Sequence, residues 1–153
     1  MIQLTKELLG TDVVVQIGII VNDIEKTAEE WAKFLGVTKP EYIITDDYEL
    51  AQTEYRGKPT KAKAKLAFFS LSNIEIELIE PDDESSTWRE FLTEHGEGVH
   101  HIAFKIKGQE EKTQRLEKMG FKLVQKGEYT GGRYTYFDSF PRLKILLELL
   151  END

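Results

Sequence analysis

The sequence predicts an α+β domain built from two similar halves, each running strand, helix, then three strands. Three observations predict it. Two alternating apolar stretches, 13–21 and 99–106, each lead into an amphipathic helix closed by a glycine, Gly36 and Gly120. Two apolar strands bearing glutamates, Ile76-Glu77-Leu78-Ile79-Glu80 and Leu147-Glu148-Leu149-Leu150-Glu151, close the two halves. The order of elements is shared, which is the mark of an internal duplication, here of two copies.

Each element has its own warrant. In 13–21, Val13, Val15, Ile17, Ile19 and Val21 face one side of a strand, and Val14, Gln16, Gly18 and Ile20 the other. Asn22 with Glu25 has capping-box spacing, and Ile24, Ala28, Trp31 and Leu35 make the apolar stripe of a helix. Within 41–59, Tyr42-Ile43-Ile44 predicts a short strand and Asp46-Asp47 a turn or helix start. Segments 65–70 and 73–80 predict a hairpin around Ser72-Asn73, with Ile74, Ile76 and Leu78 on one face and Glu75, Glu77 and Ile79 on the other. Glu75 and Glu80 are expected to face solvent.

After Pro81, Thr87 and Glu90 predict a capped helix through His95 that buries Trp88, Phe91 and Leu92. The second half then begins, with His100, Ile102, Phe104 and Ile106 opposite Val99, His101 and Ala103. A helix over 110–119 follows, and strands over 121–125, 133–138 and 144–151, with Gly131-Gly132 as a turn. The whole is one domain, 1–153: a first module over 12–81, a linker helix over 86–96 and a second module over 97–151.

Composition narrows the function. A hydrophobic content of 40% is enough for a real core, and no apolar run approaches the ~20 residues of a membrane helix. The opening Met1-Ile2-Gln3-Leu4-Thr5-Lys6-Glu7 lacks a secretion signal, so a soluble, cytoplasmic protein is expected. With no cysteine, disulfide, thiolate and zinc-finger chemistry are excluded. A net charge of −8 argues against nucleic acid as a partner. The basic run Lys58, Lys61, Lys63, Lys65 reads as a solvated sheet edge.

The duplication turns four scattered residues into a set. Gln16 and His101 are equivalent near the start of the first strand of each half, and Glu77 and Glu148 in the last strand. If the two sheets curve towards each other, one amide oxygen, two carboxylates and one imidazole meet in one cleft. Such a set suits an octahedral divalent ion with positions left open for a substrate oxygen. His100 is placed on the helix side, where it packs. Arg133, beside the glycine turn, is a candidate for binding a substrate carboxylate or phosphate.

Together, Ile76-Glu77-Leu78-Ile79-Glu80-Pro81, Gly96-Glu97-Gly98-Val99-His100-His101-Ile102-Ala103-Phe104 and Leu146-Leu147-Glu148-Leu149 resemble the vicinal oxygen chelate superfamily, and within it the methylmalonyl-CoA epimerases. The resemblance implies paired βαβββ modules in an open, cupped mixed sheet around one divalent metal ion per chain (Co, Ni, Mn, Zn or Mg), a homodimer, and a small-molecule substrate, acyl-CoA among the candidates. The ligands it implies are Gln16, Glu77, His101 and Glu148. Two departures stand out. Gln16 occupies a position where the epimerases carry histidine, and the resulting Gln/Glu/His/Glu set is similar to that of some glyoxalase I enzymes. The epimerases' second acid, upstream of Glu77, falls on Thr60-Lys61-Ala62, so Glu54 is the nearest upstream carboxylate.

The expected activity is that of a metal-dependent isomerase or lyase at the carbon next to a carbonyl or thioester, epimerase-like, with Glu148 moving the proton and Glu77 as the second carboxylate at the metal. The alternatives are a lactoylglutathione lyase of the glyoxalase I kind and a non-catalytic binder of small ligands. Ring-cleaving dioxygenase chemistry ranks lower, because it wants two histidines and one carboxylate around iron.

Overall fold

The computed structural model of the chain describes residues 8–153. The opening heptapeptide read above for a secretion signal lies outside the described residues. Among the described residues no helix is long and apolar enough to cross a membrane.

The first module contributes β1 (Val14–Ile20), α1 (Ile24–Leu35), β2 (Ile43–Ile44), β5 (Ala64–Ser70) and β6 (Glu75–Pro81). The second contributes β7 (Gly98–Lys105), α4 (Gln109–Lys118), β8 (Lys122–Tyr129), β9 (Gly132–Asp138) and β10 (Leu146–Asn152). Between them lies α3 (Thr87–His95), and a short α5 (Phe140–Leu143) precedes β10. A strap inside the first module carries α2 (Tyr48–Ala51), β3 (Glu54–Tyr55) and β4 (Lys58–Pro59).

The ten strands of the described residues form one mixed sheet in the order β2-β5-β6-β1-β7-β10-β9-β8-β3-β4. The first four and the next four are the same sequence of strands read outward from the centre, where β1 and β7 pair antiparallel. Register confirms the equivalence: Gly18 pairs with Glu77 across β1 and β6, and Ala103 with Glu148 across β7 and β10.

The strap shows that the sheet must curl. Laid flat, β2 and β8 would stand seven strand spacings apart, about 33 Å. Yet the chain leaves β2 at Ile44 and joins β8 through β3 at Glu54, with four of the intervening residues helical. Ten residues reach that far only when almost fully extended, and helical residues advance only ~1.5 Å each. The two rims therefore approach one another, and the strap crosses the mouth of the cup.

Helices pack on the convex side. Ile24, Ala28 and Ala32 of α1 meet Ala67, Phe69, Ile76 and Leu78, and Leu116 of α4 meets Phe104, Phe137 and Leu149. On the concave side α3 inserts Trp88 and Phe91 against Ile20, Ile79, Val124 and Tyr136. The linker helix thus becomes part of the core.

Several local expectations change. The N-cap of α1 is Asp23, which accepts from Lys26 N at 3.1 Å, and not Asn22. That of α3 is Ser86, which accepts from Arg89 N. The last strand starts at Leu146, since Lys144 takes a left-handed conformation as the cap of α5. Glu80 does not face solvent: its Oε1 accepts from Ile24 N at 2.9 Å. Its equivalent, Glu151, does the same for α4, accepting from Gly108 N at 2.6 Å and Gln109 N at 3.4 Å. A glutamate three residues beyond each candidate ligand therefore neutralises the free N–H groups of its module's helix.

Candidate metal centre

The duplicated strands bring Gln16, Glu77, His101 and Glu148 together as expected, all buried. From His101 Nε2, Gln16 Oε1 lies at 3.0 Å, Glu148 Oε1 at 3.1 Å and Glu77 Oε1 at 3.5 Å. The side-chain period of two on adjacent strands causes this convergence, because the pairs Gly18–Glu77 and Ala103–Glu148 are in register beside Gln16 and His101.

Two bulges sharpen the arrangement. The β1–β7 ladder skips Val15 between Val14 and Gln16, and skips His100 between Ile19 and Gly18. These positions are equivalent in the two modules. The bulge overturns the simple alternation that placed His100 away from His101. Both rings are fully buried, with their Nδ1 atoms 2.9 Å apart, and His100 Nε2 lies 3.2 Å from Thr87 Oγ1. His100 also packs edge-on to Phe91 and Tyr136. It therefore supports the orientation of His101 as well as filling space.

Burial sets the electrostatics. It pushes His101 down to about 3 and His100 well below the usual histidine range, so both rings are neutral near pH 7. Burial raises Glu77 well above the ordinary carboxylate range, helped by the charge of Glu148. Burial raises Glu148 as well, against a hydrogen bond from Tyr136 that favours its ionised form. Among the described residues, Glu77 Oε1 and Glu148 Oε1 have no hydrogen-bond partner. Their closeness to His101 Nε2 is thus neither a hydrogen bond nor, with a neutral ring, an ion pair.

A divalent cation fits this set. Two buried carboxylates bring two negative charges, and the imidazole and amide oxygen bring neutral donors. An ion held at about 2.1 Å leaves adjacent octahedral donors about 3.0 Å apart, close to the distances from Nε2. The His, Asp and Glu side chains of the described residues do not by themselves form a ready-made group of three; the amide oxygen of Gln16 is the further donor beside His101 Nε2.

The metal-free protein should register the strain. Folded Glu77 and Glu148 retain protons that the unfolded chain has lost, so each costs stability as pH rises through its raised pKa. The histidines act oppositely, and their contribution is complete by about pH 7.5, roughly one unit above the unfolded histidine value. With a chelator present, the thermal midpoint should therefore fall as pH rises above about 7.5. A midpoint that is flat or rises there would show that these carboxylates ionise freely.

A cavity of about 500 Å³ opens onto the cluster. Phe68 lies opposite Glu77, and Tyr136 holds the equivalent place opposite Glu148. Tyr136 accepts from Trp88 Nε1 at 3.1 Å, and Trp88 and Tyr134 complete an aromatic wall. Sequence reading missed this wall, although the aromatic positions facing the two glutamates followed from the repeat. Glu75 was also misplaced: it lines the cavity, and its Oε1 accepts from Gln16 Nε2 at 2.8 Å.

Two other candidates are not brought to the cluster. Arg133 is engaged by Asp153 at 2.6 Å, Glu151 at 3.4 Å and Glu128 at 3.5 Å, and lines a separate outer groove. Its guanidinium is occupied in holding the end of β9 to the C-terminal strand. Glu54 lies in the same outer groove beside Lys126, since β3 pairs at the far rim. The acids lining the cavity besides Glu77 and Glu148 are Asp46, Glu75 and Glu128.

The family model for the glyoxalase/bleomycin resistance protein/dioxygenase superfamily matches residues 15–137. The chain belongs to this superfamily. The match takes in Gln16, Glu77 and His101, and Glu148 follows it in the last strand. The chain is similar to an uncharacterized protein of Bacillus subtilis (strain 168), YqjC, 36% identical over 93 residues, which are 58% of this chain and 66% of that protein. The matched part thus spans just under two thirds of that relative's length. Among solved structures, a hypothetical protein from Bacillus halodurans C-125 superposes with a TM-score of 0.64 at 24% identity, covering 92% of this chain and 94% of that one. Methylmalonyl-CoA epimerase from Mycobacterium tuberculosis superposes with a TM-score of 0.60 at 23% identity, covering 95% and 90%. A methylmalonyl-CoA epimerase in complex with methylmalonyl-CoA and NH4+ gives 0.62 at 22%, covering 92% and 94%. These likenesses establish the superfamily's fold of paired βαβββ modules.

Proposed function

We propose that this chain is a divalent-metal-dependent isomerase or lyase that moves a proton at the carbon next to a carbonyl or thioester, in the manner of an acyl-CoA epimerase. The observation that carries the reading is the pair of buried carboxylate oxygens without partners, Glu77 Oε1 and Glu148 Oε1, facing a neutral imidazole and an amide oxygen. Gln16, Glu77, His101 and Glu148 would hold the ion, which supplies Lewis-acid stabilisation of negative charge on a substrate oxygen.

The chain's own groups divide the remaining work. Glu148 accepts the α-proton on its carboxylate, and Tyr136, its ladder partner, steers that carboxylate by hydrogen bonding. Phe68 opposite Glu77 offers no such group, so the two glutamates are not equivalent in use. Phe68, Trp88 and Tyr134 exclude water from the reacting carbon. Return of a proton to the opposite face needs a second acid. Asp46 on the strap is the cavity carboxylate engaged neither with Gln16, as Glu75 is, nor with Arg133, as Glu128 is.

Metal content is the direct test. The reconstituted protein should carry about one divalent ion per chain. His101→Ala should abolish binding, and His100→Ala should weaken it by about 10–100-fold through loss of orientation. A parental protein that holds no ion after reconstitution would overturn the reading.

A further inference from the structure

Glu75 is a second glutamate of β6 at the cavity, beside Glu77, and is used neither as a ligand nor in proton transfer. It is half-buried and stands directly beside Gln16 in the β1–β6 ladder. Gln16 Nε2 donates to Glu75 Oε1 at 2.8 Å. A carboxylate only accepts, so the amide nitrogen has to face Glu75, and the amide oxygen is left facing His101 Nε2 at 3.0 Å.

Without that acceptor the preference reverses. The Gln16 amide group would find the unpartnered oxygens of Glu77 and Glu148 within the cluster, and would turn its nitrogen towards them. An N–H donor pointing inward cannot ligate a cation. We propose that Glu75 is a positioning residue that makes glutamine usable as an oxygen ligand, by holding its amide nitrogen away from the cluster. The inference rests on the reading of the cluster as a divalent-metal site.

The duplication supplies an internal comparison. The partner of Gln16 in the β1–β6 ladder is Glu75, and the partner of the equivalent His101 in the β7–β10 ladder is Leu146. Histidine presents a nitrogen lone pair without needing an amide turned, and its orientation comes from His100 at 2.9 Å. Where the ligand is glutamine the neighbour is an acceptor; where it is histidine the neighbour is apolar.

The amide also sets a direction along the hydrogen bonds of the metal-free protein. Because Gln16 Oε1 only accepts, neutral His101 carries its proton on Nε2. His101 Nδ1 then accepts from His100 Nδ1, and His100 Nε2 accepts from Thr87 Oγ1. Turning the Gln16 amide would move the His101 proton to Nδ1.

The test uses the full chain, Co²⁺ as the probe and the ring-nitrogen shifts of His101 in the metal-free protein. Glu75→Leu should weaken Co²⁺ binding by about 10–100-fold and move the His101 proton from Nε2 to Nδ1. Glu75→Gln keeps an acceptor oxygen and should restore most of the affinity and the Nε2–H form. In a Gln16→His background, Glu75→Leu should no longer change affinity appreciably. Parental affinity and tautomer in Glu75→Leu would overturn the proposal. So would equal losses in Glu75→Gln and Glu75→Leu, which would point to the charge alone. A parental chain that binds no Co²⁺ would sink the metal reading itself, and the tautomer measurement, which needs no metal, would still decide whether Glu75 holds the amide.

Discussion

Gly18→Ala is expected to abolish metal binding while leaving a folded but destabilised protein. A Cβ at position 18 would lie 2.0 Å from His101 Cε1, 2.4 Å from Nδ1 and 2.6 Å from Nε2. None of these contacts is tolerable, and the ring cannot swing aside within its setting. It is fully buried, with His100 on one nitrogen and Gln16 on the other. The ring must therefore leave its place, which costs about 1–3 kcal/mol in overpacking and removes a candidate ligand.

The repeat explains why glycine is needed only once. Gly18 faces His101 across the β1–β7 ladder, and the equivalent Ala103 faces Gln16. A flexible glutamine accommodates a methyl group that a rigid imidazole does not. Titration with Co²⁺ should show affinity reduced by more than about 100-fold, beyond the effect expected of losing a supporting group. The double variant Gly18→Ala/His101→Ala should regain stability relative to Gly18→Ala without regaining the metal, a non-additivity that marks direct contact. Parental metal affinity in Gly18→Ala would refute the placement of the ring.

The second large effect is expected from Glu148→Gln. The amide keeps an oxygen for the metal but cannot accept a proton near neutral pH. Exchange of the substrate α-proton with solvent deuterium should fall by about 10²–10⁴-fold, measured over a panel of acyl-CoA and hemithioacetal substrates. Metal binding should weaken but persist. In the metal-free protein the same substitution should raise the thermal midpoint, because it removes one of two buried carboxylates that burial holds above the usual range. This stability readout separates loss of the base from loss of the fold. Exchange at the parental rate with metal bound would place the base elsewhere. If the parental protein exchanges no substrate of the panel, the non-catalytic binding reading gains.

Much of the centre was legible because strand periodicity is local. Gln16, Glu77, His101 and Glu148 could be grouped from the alternation of their own strands and from the duplication, without knowing how the strands pair. The same reasoning failed for His100, because alternation holds only in an unbroken ladder and the bulge between Ile19 and Gly18 breaks it. It failed for Glu80, whose role depends on a helix start that is distant in sequence and adjacent in space. Arg133 looked available beside its glycine turn, and is taken by carboxylates of the C-terminal strand.

The sequence by itself determined the repeated order of elements and the strand faces wherever the ladders are unbroken, and it singled out Gln16, Glu77, His101 and Glu148, since side-chain period and repeat order are properties of neighbouring residues. Only the tertiary structure decided which donors are oriented and by what. The contacts of Glu75 with Gln16, of His100 with His101, and the vacant Cβ position at Gly18 arise from the register between strands far apart in the chain. The cavity likewise depends on the curl that lets the strap join the two rims, a consequence of closing the whole sheet that no single segment encodes.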